Sequence, residues 1–333
     1  MHSTPAPLTD RFGRRVSYLR ISVTDRCDLR CVYCMSEETR FVPRARLLTL
    51  EEIACIARCF VELGVERIRV TGGEPLVRRN VVSLLSELSA LPGLRELTLT
   101  TNATQLHRLA PQLRSAGVQR INISLDSLRP ERFRALTRNG RLERVLAGIE
   151  AARRAGFRRI KINSVILRNR NHDEVVSLAR FALEREMDIA FIEEMPLGSI
   201  HEHDRAEAHY PSDAIAADLS RAFTLLPTTE RSGGPARYFR VAGFEGRIGF
   251  ISPHSHNFCD QCNRVRLTAT GRLLLCLGHE HSVDLRQVIR AHPIDDTPLK
   301  EVIVDAMALK PQGHRFELRG VPVVARHMNS TGG

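Results

Sequence analysis

The sequence predicts an α/β fold, an incomplete (β/α)6 barrel of the TIM type with a C-terminal extension, and three observations lead there. Between residue 18 and about residue 195, short β-branched runs alternate with longer helical patterns. The residues able to do chemistry gather where those runs end. After Pro196 the alternation stops, and a second set of cysteines follows. Six βα units joined by right-handed crossovers build either an open doubly wound sheet or a partial barrel. The strand ends favour the barrel, whose strands converge on one mouth where such folds keep their reactive groups.

In chain order the strand candidates are YLRISV (18–23), RIRVTG (67–72), ELTLTT (96–101), INISLD (121–126), IKINSVI (160–166) and IAFIEEM (189–195). Each is apolar enough to be buried in a parallel sheet. Helical patterns lie between them, the clearest running from Thr49 to Leu63 with Thr49-x-x-Glu52 as a capping box and Gly64 as the stop. At the strand ends stand a cysteine triad, Gly72-Gly73-Glu74-Pro75, Thr101-Asn102, Ser124-Leu125-Asp126-Ser127 and Glu194-Met195.

The chain therefore divides into a core, residues 9–196, and a C-terminal region, residues 197–333. The second region opens on the polar stretch GSIHEHDRAEAHYPSD. A helix is expected near 211–222, a hairpin from Tyr238 to Ile251 around Phe244-Glu245-Gly246, a turn at Thr270-Gly271, and helices near 282–291 and 297–308. The tail ends Asn329-Ser330-Thr331-Gly332-Gly333.

A chain of 333 residues, 43% of them hydrophobic, can bury a full core. No stretch approaches the ~20 apolar residues of a membrane span, and MHSTPAPLTD lacks a secretory pattern, so a cytoplasmic location without membrane contact is expected. Eight cysteines in that setting point to reduced or metal-bound thiols. A net charge of +11 favours anionic ligands, although the basic residues are scattered. A nucleic-acid binder would interleave aromatic platforms with that charge. Here aromatics are 5% and Trp is absent, so no nucleic-acid partner is expected.

The first cysteine group, Cys27-x₃-Cys31-x₂-Cys34, can wrap three thiolates around one face of a cubane cluster and leave one iron open. Zinc prefers four closed ligands, and the nearest downstream histidine is His107. Tyr33, inside the triad, could stack beside an adenine. The second group is Cys259-x₂-Cys262-x₁₃-Cys276, with Cys276 on the far strand of a hairpin. It admits two readings: a Cys₃His zinc site recruiting His254, His256, His279 or His281, or a second open cluster. Arg264 and Arg266 flank Val265 at period two and so share one strand face, which suits a phosphorylated ligand. Cys55 and Cys59, at i and i+4 on the Thr49 helix, read as small, partly buried residues.

The segment SYLRISVTDRCDLRCVYC followed by VTGGEP resembles the radical S-adenosylmethionine enzymes. With the second group added, the resemblance spans roughly residues 9–333 and narrows to the family of GTP 3′,8-cyclases, lyases of molybdenum cofactor biosynthesis. That resemblance implies two 4Fe-4S clusters at opposite ends of the barrel. Cys27, Cys31 and Cys34 would hold the cluster that binds S-adenosyl-L-methionine; Cys259, Cys262 and Cys276 would hold the one that binds the purine. It further implies S-adenosylmethionine contacts at Tyr33, Gly73, Ser124 and Met195, and GTP contacts at Arg20, Arg69, Thr100, Lys161, Arg264, Val265 and Arg266. A Gly-Gly tail reaching the active site would be Gly332-Gly333. Ala103 stands where the family usually has glycine, and Ser36 where it has proline.

Arg20, Arg69 and Lys161 are cations inside strands and need a counter-charge, either a triphosphate or an internal carboxylate such as Asp126 or Glu193. The implied partners are GTP, a one-electron reductant and the next enzyme, which forms the pyranopterin; a homodimer is left open. The alternatives are a peptide-maturing radical enzyme with an auxiliary cluster, disfavoured because those carry more C-terminal cysteines, and a zinc-knuckle binder.

Overall fold

The computed structural model describes residues 7–320 and 322–332. Six parallel strands, β1 (Tyr18–Ser22), β2 (Arg67–Thr71), β3 (Glu96–Thr101), β4 (Arg120–Ser124), β5 (Arg159–Val165) and β6 (Asp188–Ile192), lie side by side in chain order. Between them run α1 (Leu50–Glu62), α2 (Val81–Ser89), α3 (Leu106–Ser115), α4 (Pro130–Thr137) with α5 (Leu142–Arg154), and α6 (Val175–Leu183). A doubly wound sheet reverses its strand order at a switch point, whereas unbroken sequential order is that of an incomplete barrel.

The strands are not apolar throughout, as their composition suggested. Leu19, Ile21, Ile68, Val70, Leu97, Leu99, Ile121, Ile123, Ile160 and Ile162 form one apolar cluster with helix residues such as Ile53, Ile56 and Phe60. The alternate positions, among them Arg20, Arg69, Thr100, Ser124, Lys161 and Asn163, line an interior cavity. Period-two alternation therefore puts one face against the helices and a polar, basic face inside.

The region after Pro196 extends the same sheet at both edges. It contributes α7 (Arg205–Ala208), α8 (Ser212–Ser220), β7 (Leu225–Pro227), β8 (Arg237–Val241), β9 (Arg247–Ile251), β10 (Arg264–Leu267), β11 (Arg272–Leu274), β12 (Ser282–Asp284), α9 (Leu285–Ala291), α10 (Thr297–Met307) and α11 (Met328–Thr331). β9 pairs parallel with β6 and continues antiparallel into β8 and β7; β10 pairs parallel with β1 and continues antiparallel into β11 and β12. The buried Asp188–Arg247 pair at 2.7 Å fastens β6 to β9.

Local expectations hold in detail for α1. Thr49 Oγ1 accepts from Glu52 N at 3.1 Å, Glu52 Oε2 accepts from Thr49 N at 2.8 Å, and Gly64 stops the helix at φ +93°. Two expectations shift. The helix placed at 282–291 begins at Leu285, because Ser282–Asp284 is extended as β12 and Asp284 caps the helix by accepting from Gln287 N at 3.1 Å. Cys276 lies two residues beyond the end of β11 rather than on it. Cys59 is fully buried in the core and Cys55 partly so.

Candidate active site

The two cysteine groups sit at opposite ends of the parallel strands, and the register shows why. Cys27, Cys31 and Cys34 follow the C-terminal end of β1. Tyr18, the first residue of β1, pairs with Arg264, so Cys262 lies just before the N-terminal end of β10. β11 runs back antiparallel, with Leu274 opposite Arg266, which returns Cys276 toward the level of Arg264, two residues from Cys262. All six cysteines line one cavity together with Arg20, Tyr33, Arg69, Gly73, Thr100, Ser124, Lys161, Met195, Arg264, Val265 and Arg266. Val265 also belongs to the apolar cluster. Gly332 joins by accepting from Arg266 Nη1 at 2.5 Å; Gly333 lies outside the described residues.

At the first group burial raises all three thiols, Cys34 to about 12. Amide donors already face one sulfur: Leu29 N is 3.4 Å and Asn102 Nδ2 3.7 Å from Cys27 Sγ. Buried thiols with N–H groups aimed at sulfur suit metal-bound thiolates, whose ionisation the metal supplies. Tyr33 donates to Asp126 Oδ2 at 2.6 Å, which fixes its ring beside the triad, and burial pushes the Asp126 carboxyl up to about 6.

Gly73 is required by the chain itself: a Cβ there would fall 2.5 Å from Arg26 O, on the loop entering the triad. Gly73 N donates to Thr24 O at 2.7 Å and Glu74 N to Arg26 O at 2.8 Å, so the GGEP segment clamps that loop. Glu74, whose role the motif alone did not reveal, is buried and accepts from Leu76 N, Thr101 Oγ1 and Asn102 N. It ties the end of β2 to the end of β3. Ala103, in the same β3 loop, has φ +66°, a left-handed conformation that explains glycine as the usual residue there.

Between the two ends lies a band of buried cations. Arg69 is bound by the Asn122 amide oxygen, in its hydrogen-bonding orientation, at 3.0 and 3.1 Å, and stands over the Tyr18 ring. Lys161 Nζ reaches the Tyr238 hydroxyl at 3.4 Å, and Arg266 the tail carbonyls. None of these partners is anionic. Asp126 and Glu193, the internal counter-charges considered from sequence, are engaged elsewhere: Asp126 with Tyr33 and Val165 N, Glu193 with Ser212 N, His254 N and Ser255. Burial, and then Arg69 and Arg120, hold Lys161 well below the ordinary lysine range. Burial, then Arg264 and Arg69, lower Arg266 to about 10. Thr100 Oγ1, Asn163 Oδ1 and Arg264 Nε, all on the cavity wall, find no hydrogen-bond partner among the described residues.

In the second group burial raises the Cys276 thiol as it raises those of the first, but Cys262 differs. Burial pushes the Cys262 thiol up, but Arg264, Lys310 and backbone hydrogen bonding outweigh it and the thiol falls below its ordinary value. The tail closes the interior: Met328 N donates to Cys34 O at 3.1 Å and Asn329 Nδ2 to Asp25 O at 3.0 Å, so the last turn spans from the first cysteine loop to Arg266. Asp28, which accepts from Asn102 Nδ2 and Thr104 Oγ1, and Asn163 escaped the sequence reading, as did the contacts made by Glu74, Asp126 and Asn329, because single polar residues carry no spacing signal.

Comparison with known proteins agrees with this arrangement. Residues 21–182 match the Radical SAM superfamily and residues 187–316 match Molybdenum Cofactor Synthesis C. The chain is 60% identical over 334 residues to the GTP 3′,8-cyclase of Pseudomonas entomophila, covering all of both chains. It is 59% identical over 326 residues to that of Marinobacter nauticus, covering 98% of each. The crystal structure of Streptococcus suis SuiB bound to S-adenosylmethionine shares the fold, with a TM-score of 0.62 at 15% identity over 94% of this chain and 77% of SuiB. The chain belongs to the GTP 3′,8-cyclase family of the radical S-adenosylmethionine superfamily.

Proposed function

We propose that this chain carries out the radical cyclisation of GTP to (8S)-3′,8-cyclo-7,8-dihydroguanosine 5′-triphosphate, the first step of molybdenum cofactor biosynthesis. One observation carries the reading: two three-cysteine groups stand at opposite ends of a single cavity whose wall between them is cationic. The cofactors are two 4Fe-4S clusters and S-adenosylmethionine. When bound, the first cluster with S-adenosylmethionine would supply the radical chemistry that joins the ribose 3′ carbon of GTP to carbon 8 of guanine, the electrons coming from an external one-electron reductant.

The chain binds, orients and excludes water. Cys27, Cys31 and Cys34 hold one cluster at the C-terminal end of the strands. Tyr33, Gly73, Ser124 and Met195 hold S-adenosylmethionine there. Cys259, Cys262 and Cys276 hold the other cluster beside the purine. Arg20, Arg69, Lys161, Arg264 and Arg266 neutralise the triphosphate. Thr100 Oγ1 and Arg264 Nε gain the partners they lack. Gly332 closes the substrate side through Arg266. No side chain is assigned as acid or base.

Every residue in this scheme comes from one chain, so a homodimer would not complete the site. The chemistry calls for a one-electron reductant and for an enzyme that converts the product to the pyranopterin. The test is anaerobic reconstitution with dithionite, S-adenosylmethionine and each nucleoside triphosphate in turn. GTP alone should give the cyclised product with 5′-deoxyadenosine; 5′-deoxyadenosine formation indifferent to GTP would refute the reading.

A further inference from the structure

Lys310, three residues past α10, is 1% exposed. Its Nζ donates to Leu275 O at 2.8 Å and Arg264 O at 3.1 Å, and lies 3.4 Å from Cys262 Sγ. These three contacts use the three donors of an ammonium, and none of the three partners is a carboxylate. The neighbouring Arg14 makes a contrast. It also ties this loop together, donating to Cys259 O at 2.8 Å and Gln312 O at 2.6 Å, but it brings its own anion, Asp10, at 2.7 Å.

An ammonium sealed from water is costly unless something negative answers it. The group within hydrogen-bonding reach of Lys310 that becomes negative is the Cys262 sulfur, once it is a thiolate, and Cys276 also feels the lysine charge. The two carbonyls it grips belong to Arg264, two residues after Cys262, and Leu275, immediately before Cys276. The ammonium thus binds together the two segments that bear the ligands and points its remaining donor at one ligand sulfur. The first cysteine group is answered differently, since the donors to Cys27 Sγ are the neutral amides of Leu29 and Asn102.

We propose that Lys310 is a positioning residue for the second cluster: it holds the Cys262 and Cys276 segments in ligating register and raises that cluster's reduction potential through a charged hydrogen bond to Cys262 Sγ. A fixed positive charge beside a cluster stabilises its reduced form, and hydrogen bonds to ligand sulfur act in the same direction. The inference rests on the reading of Cys259, Cys262 and Cys276 as cluster ligands. The effect is confined to one cluster because, among the described residues, the hydrogen-bond donors to Cys27 Sγ are amides and not an ammonium.

The test is an anaerobic redox titration followed by electron paramagnetic resonance on the reconstituted full-length protein, with iron counted in each sample. Wild type, Lys310→Met, Lys310→Gln and Lys310→Arg are compared, and Cys262→Ala identifies the signal of the first cluster. Lys310→Met and Lys310→Gln should shift the midpoint of the second cluster to more negative potential, leave the first unmoved, and be restored toward wild type by Lys310→Arg. Selective loss of the second cluster from Lys310→Met, with retention in Lys310→Arg, supports the positioning role, and Lys310→Gln then carries the potential measurement. A second-cluster potential unchanged in Lys310→Gln at full iron content overturns the proposal alone. Wild-type protein that takes up only about four irons overturns the two-cluster reading and the proposal with it.

Discussion

Arg20 on β1 is the register partner of Arg69 on β2, and across its other edge it faces Arg266 on β10. Neighbouring strands lie ~4.8 Å apart, so three guanidinium-bearing positions stand side by side in one row. Like charges placed directly opposite destabilise a sheet. Burial, reinforced by Arg266 and Arg69, holds the Arg20 guanidinium well below the ordinary arginine range. A row of this kind suits the triphosphate proposed for it, and without an anion the like charges oppose one another.

Arg69→Met should therefore have two opposite effects. GTP affinity, measured anaerobically by calorimetry, should fall at least about 30-fold, the lower end of the 2–5 kcal/mol lost when one partner of a buried charge contact is removed. Without GTP, the thermal midpoint should rise, because repulsion in the row is relieved. Unchanged affinity would remove Arg69 from the triphosphate site.

Cys262→Ala separates the two ends of the cavity. Iron should fall from about eight to about four per chain, and dithionite should still produce 5′-deoxyadenosine from S-adenosylmethionine. The cyclised product should disappear. Product formation at the wild-type rate would mean that the second cluster does not hold the substrate.

Ala103 supplies a stability test independent of cofactors. Its φ of +66° costs an L-residue about 1–2 kcal/mol, part of which glycine gives back in chain entropy. Ala103→Gly should raise stability by about 1 kcal/mol, visible as a higher thermal midpoint with iron content unchanged. A lower midpoint would show that the Ala103 methyl contributes more through packing than its backbone costs.

Asp188 and Arg247 give a pH dependence. Burial pushes the Asp188 carboxyl up, but the hydrogen bonds and charge of Arg247 outweigh it and hold the carboxyl below its ordinary value of 3.8. A depressed folded-state value means that the unfolded chain takes up the proton first as pH falls. The stabilisation is therefore complete above about pH 3.8 and is lost as pH drops through the lower folded value. Asp188→Asn should lower the thermal midpoint at pH 7 by roughly 6 °C, from about 3 kcal/mol at ~2 °C per kcal/mol for a chain of this size. Glu230, still 2.7 Å from Arg247, keeps the loss at the low end. The gap to wild type should narrow below about pH 3.8; a gap independent of pH would assign the loss to packing.

Much of this was legible in the sequence. The six strands, the Thr49 helix with its cap and stop, and the hairpin across Phe244-Glu245-Gly246 are short-range signals, and each was found where the local pattern put it. The cysteine triads and GGEP were legible because fixed spacing carries chemistry. Glu74 as a tie between strand ends, Asp126 as the anchor of Tyr33, and Lys310 beneath Cys262 were not. Each meets a partner 27 or more residues away, and a lone polar residue gives no hint of which partner it will find.

The sequence by itself determined the repeating βα units, the two sets of three thiols and the presence of cations within strands, because periodicity and spacing act over a few residues. Tertiary structure alone decided that those cations share one wall and that the second thiols lie across the cavity from the first. Both follow from register: β10 adds in parallel beside β1, 246 residues distant in the chain, and only the packing of the whole apolar outer face fixes which residues then stand level.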